Sequence, residues 1–172
     1  MSFENAKRAV SYGAEFEFGL NLSRISKLAE QFKVTGNYTY IVSEIELGER
    51  NVSGQATQTA TSQNRPMQGQ APYSVNFGLY YDDIEATRSI ALLYNRLGPF
   101  ISGLGQLGSP DEYEQPKDQL DFVFKQGIGE NLQVSLKVKN ILKADTVRME
   151  EDRVTLRKKN DREFNVGLSA KF

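Results

Sequence analysis

The side chains that most often perform catalysis are missing from this chain. Its 172 residues include no histidine and no cysteine, which excludes imidazole bases, thiolate nucleophiles, disulfides and metal sites built on either ligand. Glu15 and Glu17 have the spacing that puts two carboxylates on one face of a strand, but no further residue of a hydrolase site accompanies them. We therefore expect a protein that is not an enzyme and that holds no cofactor and no metal ion.

One glycine motif matches the consensus of a dinucleotide-binding turn. Gly103, Gly105 and Gly108 stand in the order Gly-x-Gly-x-x-Gly, which binds a pyrophosphate where a strand precedes it and a helix begins at it. Pro99 and Pro110 flank the motif, and no helical spacing follows it. The sequence favours a flexible loop here over a cofactor site.

The charge balance and the hydropathy narrow the range of partners. Lysine and arginine number 21 against 22 acidic residues, so the sequence predicts no nucleic-acid partner. Mean hydropathy is −0.50, and no apolar run is long enough for a transmembrane helix. The strands of a membrane barrel escape this test, because only alternate residues face lipid.

Seven stretches of the chain alternate between apolar and polar residues. A period of two puts the two sets on opposite faces of a β-strand. The last stretch is the clearest, because Phe164, Val166, Leu168, Ala170 and Phe172 fall on every second position. The seven stretches are 14–22, 32–45, 73–81, 90–95, 120–125, 132–139 and 164–172.

The connectors between these strands are alternately short and long. Connectors 23–31, 82–86 and 127–131 are short, whereas 48–71, 98–117 and 143–160 are long and polar. Up-and-down membrane barrels have this rhythm. The sequence therefore predicts an all-β, antiparallel, up-and-down transmembrane β-barrel segment of about seven meandering strands, with the barrel incomplete. Residues 147–156 are expected to extend the last hairpin into water, and either that hairpin or residues 2–10 could supply an eighth strand.

The polar positions of these strands predict the wall of a lumen. We expect Lys33 to balance Glu15 and Glu17, and Asp121 to pair with the lysines of the later strands. Phe122, Leu136 and Leu168 are expected to face lipid. The predicted lumen-lining residues are Glu15, Glu17, Lys33, Asn37, Asn76, Asn95, Asp121, Lys125, Lys137 and Lys139. The predicted interfacial girdle is Tyr38, Tyr40, Tyr73, Tyr81 and Tyr94.

The end of the chain resembles the C-terminal signal by which bacterial outer-membrane barrels are recognised for insertion. The pattern is a polar residue, a glycine, an apolar residue and a final aromatic residue. The residues that carry the resemblance, and the membrane-assembly role it implies, are Asn165, Gly167, Ala170 and Phe172.

Several stretches, in order, resemble the C-terminal barrel of TonB-dependent outer-membrane receptors, which transport siderophores, cobalamin or glycans. They are 5–17, 37–44, 66–73, 93–95, 118–122 and 139–142. The resemblance covers essentially the whole chain. It implies that residues 1–172 are the C-terminal part of a barrel of about 22 strands, without the plug domain and the signal peptide.

This resemblance also implies the location and the partners. The location is the outer membrane of a Gram-negative bacterium. The partners are outer-membrane lipid, the barrel-assembly machinery, the rest of the parent barrel with its plug, and a TonB-type energy-coupling protein reached through the missing N-terminal part.

Two other functions are consistent with the same alternation. A small autonomous outer-membrane barrel with a structural or adhesive role would have an even number of strands, whereas seven are counted. A soluble lipocalin-like binding module would turn its apolar face inward, and periodicity alone does not distinguish the two faces. The long polar connectors and the terminal Phe172 favour the membrane interpretation.

Overall fold

The computed structural model describes residues 6–47, 64–106 and 108–171, which form two antiparallel sheets. The strands are β1 Ala6–Asn21, β2 Phe32–Leu47, β3 Asn64–Arg65, β4 Tyr73–Asp83, β5 Arg88–Leu97, β6 Phe100–Gly103, β7 Glu112–Glu114, β8 Lys117–Ile128, β9 Leu132–Lys139, β10 Thr146–Glu150, β11 Arg153–Lys158 and β12 Glu163–Ala170. Two 3₁₀ turns, Leu22–Arg24 and Lys27–Ala29, join β1 to β2. No helix in the described ranges has the length and apolar character needed to cross a membrane.

The main sheet is a meander of seven long strands. Its order is β1-β2-β4-β5-β8-β9-β12, with the short β3 paired to β2. Each long strand is antiparallel to its neighbour, which confirms the predicted all-β, antiparallel arrangement of seven main strands. Among the described strands, β1 and β12 end the order, so this sheet is open. We call the end with connectors 98–117 and 143–160 the loop end, and the opposite end the turn end.

The candidate extra strand at the start of the chain belongs to β1. Residues 6–10 are part of this strand, with one register shift between Ala6 and Arg8, and Val10 stands opposite Glu44 of β2. The expectation that residues 2–10 form an eighth strand is therefore wrong for the described residues 6–10. The reason is that β2 continues to Leu47 and offers backbone partners along that whole length.

Two of the long connectors contain a second sheet, which the sequence analysis did not predict. Its order is β11-β10-β7-β6, so strands of connector 143–160 pair with strands of connector 98–117. The predicted hairpin at 147–156 exists as β10 and β11. It does not simply prolong the last hairpin of the main sheet, because β10 pairs with β7 through Arg148 and Glu114.

The chain leaves the main sheet through a turn at residues 140–145. Asn140 and Lys143 have φ values of 52° and 54°, in the left-handed region, which ends a strand. Asn140 fixes this turn, because its Oδ1 accepts from Ala144 N at 2.8 Å and its Nδ2 donates to Asn160 O at 2.9 Å. The turn redirects β10 towards β7.

The buried apolar residues of the described ranges lie in β6 and in the segment next to it. Ile101 is 1% exposed and Ala71 is 7% exposed. The segment that contains Ala71 is held against β6, because Gly69 N donates to Ile101 O at 3.0 Å. It is also held against β2 by the bond from Met67 N to Ser43 Oγ at 3.1 Å. The small core of the described residues therefore lies between the two sheets at the loop end.

A buried ion pair lies in the same region. The side chains of Arg65 and Asp111 are 8% and 6% exposed, and Arg65 Nη1 lies 3.6 Å from Asp111 Oδ1. Asp111 Oδ1 also accepts from Gly105 N at 2.7 Å. Because an unpaired buried charge is costly, this carboxylate ties Arg65 of β3 to Gly105.

Truncation of Ile101 should loosen the second sheet. Ile101→Ala is expected to lower its opening free energy by about 2–5 kcal/mol, the usual cost of emptying a packed site. Hydrogen exchange at residues 100–103 and 112–114 of the detergent-refolded protein would measure this. Leu104→Ala, at a residue that is 39% exposed, is the control and should change exchange little. Equal effects of the two substitutions would contradict this account of the core.

Candidate functional site

The strand register sorts the side chains of the main sheet into two faces. Directly opposed residues of an antiparallel pair point to the same side. We define the apolar face as Phe16, Phe18 and Leu20 of β1, Phe32, Val34, Tyr38 and Tyr40 of β2, Val75, Phe77, Leu79 and Tyr81 of β4, Ile90, Leu92 and Tyr94 of β5, Leu120, Phe122 and Phe124 of β8, Leu132, Val134, Leu136 and Val138 of β9, and Phe164, Val166, Leu168 and Ala170 of β12. The other face is the polar face.

Much of the apolar face is open. Phe164, Val166 and Leu168 are 66%, 79% and 73% exposed, and Phe16 is 63% exposed. Neither of the buried apolar residues of the described ranges belongs to this face. Monomeric soluble proteins rarely expose contiguous apolar patches of more than a few hundred Å². A face that crosses seven strands therefore needs a partner or an apolar solvent.

Polar side chains limit the apolar face at both ends. On β5, Arg88 lies at the turn end and Arg96 at the loop end, with Ile90 and Leu92 between them. The two arginines are eight positions apart, about 26 Å at about 3.3 Å per residue, or about 20 Å along the normal of a membrane if the strand tilts by about 40°. The apolar band of a membrane barrel is about 25 Å tall, so the heights are comparable.

The polar group at the loop end is a neutralised cluster. Arg96 Nη1 lies 2.7 Å and 2.6 Å from the two carboxylate oxygens of Asp118. The hydroxyl of Tyr94 donates to Asp118 Oδ1 at 2.5 Å, and Arg96 Nε donates to Tyr73 Oη at 3.5 Å. Arg96 and Asp118 were not among the residues predicted from the sequence. Extending the alternation two positions from Tyr94 and Leu120 would have placed them at this edge.

The five tyrosines of the predicted girdle all lie on the apolar side of the sheet. Tyr38, Tyr40, Tyr73 and Tyr94 lie near the loop end, whereas Tyr81 lies near the turn end. Tyr38 and Tyr40 are 45% and 49% exposed. Amphipathic rings at the two ends of an apolar band are typical of membrane interfaces.

A row of amide side chains crosses the polar face. Asn95 Nδ2 donates to Asn76 Oδ1 at 2.7 Å, and Asn76 Nδ2 donates to Asn37 Oδ1 at 3.4 Å. Asn37 Nδ2 in turn donates to Glu15 Oε1 at 2.5 Å. With Tyr80 and Asp121, the row lines a cavity of about 270 Å³. The hydrogen bonds all run in one direction, so they orient each amide and leave its remaining donors and acceptors on the surface.

The structure places all ten predicted lumen-lining residues on the polar face. The register of the seven long strands gives the same side to Glu15, Glu17, Lys33, Asn37, Asn76, Asn95, Asp121, Lys125, Lys137 and Lys139. Of these, the hydrogen-bonded row brings together Glu15, Asn37, Asn76 and Asn95.

The two expected charge pairings on this face are wrong. Lys33 stands opposite Asn21, four residues along β1 from Glu17, and Glu15 bonds Asn37 instead. Strand periodicity fixes the face of a residue, whereas the register fixes its level along the partner strand.

Within the described residues, the lysines of the later strands form no ion pair with Asp121. Lys139 Nζ lies 3.2 Å from Glu163 Oε1 on the adjacent β12. Asp121 Oδ1 accepts from Gln119 Nε2 at 3.2 Å and from Asn140 N at 2.9 Å. The carboxylate therefore fixes the turn after β9, and this contact was not predictable from the strand pattern.

Three residues of the pattern that resembles an assembly signal lie in β12, and Phe172 lies outside the described residues. Asn165 and Gly167 point to the polar face, and Ala170 points to the apolar face. Asn165 Nδ2 donates to Glu163 Oε1 at 2.8 Å. A Cβ atom at Gly167 would lie 2.6 Å from Ser135 Oγ, so a larger residue would have to displace that hydroxyl.

The glycine motif at 103–108 lacks the context of a cofactor site. Gly103 ends β6, and the chain reaches β7 at Glu112 without a helix in the described residues between them. The N–H of Gly105 is already bonded to Asp111, so it cannot meet a phosphate. The described ranges also contain no group of three or more acidic side chains arranged to hold a metal ion.

A polar network lies on the second sheet around Glu112. Its carboxylate accepts from Thr155 Oγ1 at 2.7 Å and from Ser102 Oγ at 2.8 Å, and Arg148 Nη1 lies 3.6 Å away. The hydrogen bond from Thr155, followed by that from Ser102, holds the pKa of Glu112 below its ordinary value of 4.5. Burial of Tyr113 beside it raises the pKa of that phenol.

Comparison with known protein families, with curated proteins and with solved structures finds no match to this chain.

Acid should loosen the second sheet through Glu112. A lowered folded-state pKa means that the ionised carboxylate contributes stability above the unfolded pKa, and that this contribution is lost as the pH falls through the folded pKa. Hydrogen exchange at residues 112–114, corrected for its intrinsic pH dependence, should rise on acidification in the parent chain and less so in Glu112→Gln. Glu151→Gln, at the exposed hairpin tip, is the control. The same acid response in all three chains would contradict this role.

The two faces of β9 should differ in their tolerance of charge. Leu136→Arg puts a charge on the apolar face and is expected to cost about 2–4 kcal/mol if that face meets lipid. Lys137→Leu, one residue away on the polar face, should cost much less. The yield of membrane-inserted protein, measured by protease protection in vesicles, compares them. Equal losses would mean that the faces are wrongly assigned.

Proposed function

We propose that this chain is the C-terminal part of the barrel of a TonB-dependent outer-membrane receptor, a transporter of siderophores, cobalamin or glycans. The observation that carries the proposal is the continuous apolar face across all seven long strands. Within a bilayer such a face is solvated by lipid, and the antiparallel ladder satisfies the backbone groups that lipid cannot. The C-terminal pattern and the ordered resemblances along the chain support the choice of family.

The polar face then lines the lumen of the parent barrel. Its amide row, its lysines and its acids offer hydrogen bonds to water, to a plug and to a hydrophilic solute. The chain supplies no catalytic group in this proposal. Its partners are outer-membrane lipid, the barrel-assembly machinery, the remaining barrel strands with the plug, and a TonB-type energy-coupling protein.

The second sheet is the extracellular part in this arrangement. It leaves the main sheet at the loop end, and it carries charged side chains. Among them, Arg148 Nε lies 3.5 Å from Glu114 Oε2. The short connectors at the opposite end would lie in the periplasm. This orientation agrees with the known layout of bacterial barrels, whose periplasmic turns are short.

The burial pattern disfavours a soluble lipocalin-like module. Such a fold encloses its apolar face, whereas Val166 of this chain is 79% exposed. The same apolar face is also consistent with a small autonomous barrel. The odd number of long strands in the described sheet favours a segment of a larger barrel over it, because bacterial single-chain barrels have even strand numbers.

Membrane insertion tests the proposal. The 172-residue chain should require detergent, and it should associate with phosphatidylcholine vesicles in a protease-resistant form. In the parent protein, deletion of Phe172 should reduce the amount in the outer membrane, because it removes the terminal aromatic residue. Phe172→Tyr keeps an aromatic residue and is the matched control. A monomeric, water-soluble chain in sedimentation experiments would overturn the proposal and promote the lipocalin-like alternative.

A further inference from the structure

A group of cations without acidic partners lies next to the loop end of β12. We define the basic strip as Arg157, Lys158, Lys159 and Arg162. All four are exposed, and within the described residues none of them takes part in an ion pair. Residues 153–162 contain five basic residues and one acid, in a chain whose net charge is −1. The strip is therefore a local excess of positive charge.

The strip begins where the apolar face ends. Phe164 is the last apolar residue of β12 at this end, and it stands opposite Val138. Arg162 precedes Phe164 by two residues and lies just outside β12. Arg162 Nε donates to Ile141 O at 2.8 Å, which holds its side chain at the rim.

The backbone of the strip is fixed and its nearest acid is occupied. Asn160 Nδ2 donates to Thr146 Oγ1 at 3.0 Å and to Ala144 O at 3.2 Å. The carboxylate of Asp161 lies 3.1 Å from Lys143 Nζ. The positive charge of the strip is thus not cancelled by the one acid within it.

We infer that the basic strip binds the phosphate groups of anionic lipids at the outer surface of the membrane. This inference rests on the proposed function, which puts the apolar face in lipid. Lys159 is five residues from Phe164, at most about 16 Å along the chain, and lysine and arginine extend their charged ends towards the headgroup layer. Basic residues at this level attract anionic lipid.

A lipid surface fits the strip better than free phosphate does. Its four cations are spread over six positions, 157–162, so they do not converge on one point. Arg157 and Lys158 belong to β11 and point to opposite faces of that strand, whereas Lys159 and Arg162 lie between β11 and β12. Dispersed charges next to an apolar face match a layer of headgroups, because each charge can meet a different phosphate while the apolar face meets acyl chains. The strip therefore orients the loop end of β12 at the membrane surface.

Titration of phosphatidate into phosphatidylcholine nanodiscs that hold the 172-residue chain tests this inference. Because the chain has no cysteine, Ala144→Cys allows an environment-sensitive dye to be attached beside the strip. The test variant is Arg157→Gln, Lys158→Gln and Lys159→Gln together. The control variant is Lys33→Gln, Lys125→Gln and Lys137→Gln, which removes the same charge from the polar face. Inorganic phosphate is titrated in parallel.

The expected result is a dye response to phosphatidate whose midpoint rises about tenfold or more in the test variant and stays the same in the control variant. A response lost equally in both variants, or absent in the parent chain, overturns the inference. A response to inorganic phosphate equal to that to phosphatidate also overturns it, because it would indicate a simple anion site. Failure of the chain to co-elute with nanodiscs would instead count against the proposed function.

Discussion

The register of the strand pairings is the constraint on which this structure depends. Six antiparallel pairings join the seven long strands, and each pairing sets most of the apolar residues of one strand's apolar face against apolar residues of the next strand. A shift of one residue in any pairing would turn the side chains of the following strands to the opposite face. The two continuous faces therefore exist only because all six registers agree. Polar pairs at the ends of the apolar face, such as Arg96 with Asp118, keep the same register.

The two faces separate the tasks of the protein. The apolar face has little packing among the described residues, so its stability as a folded sheet comes from the backbone ladder and, in the proposed setting, from lipid. The polar face holds a row of hydrogen-bonded amides and charged side chains, of which Lys139 is paired with Glu163. The small core around Ile101 lies apart from both, between the second sheet and the loop end of β2. Substitutions in that core are therefore expected to affect the second sheet more than the main sheet.

The fold was predictable to the extent that it depends on local alternation. The seven strands and their faces follow from a period of two, which is strongest in the last strand, where it runs from Phe164 to Phe172. The second sheet could not be predicted, because β6 and β7 have only four and three residues and their pairing with β10 joins distant connectors. The Lys33 pairing was wrong for a related reason, since a face can be read from spacing but a register cannot. The Arg65–Asp111 pair depends on the same long-range packing.

The central claim is that the apolar face meets lipid, and accessibility along β9 tests it most directly. The chain contains no cysteine, so a spin label can be attached at one position at a time from Leu132 to Lys139 in vesicles. The account predicts that labels at even positions collide mainly with oxygen dissolved in the bilayer, and labels at odd positions mainly with a water-soluble nickel complex. A profile with no alternation, or one with the two sets reversed, would contradict it.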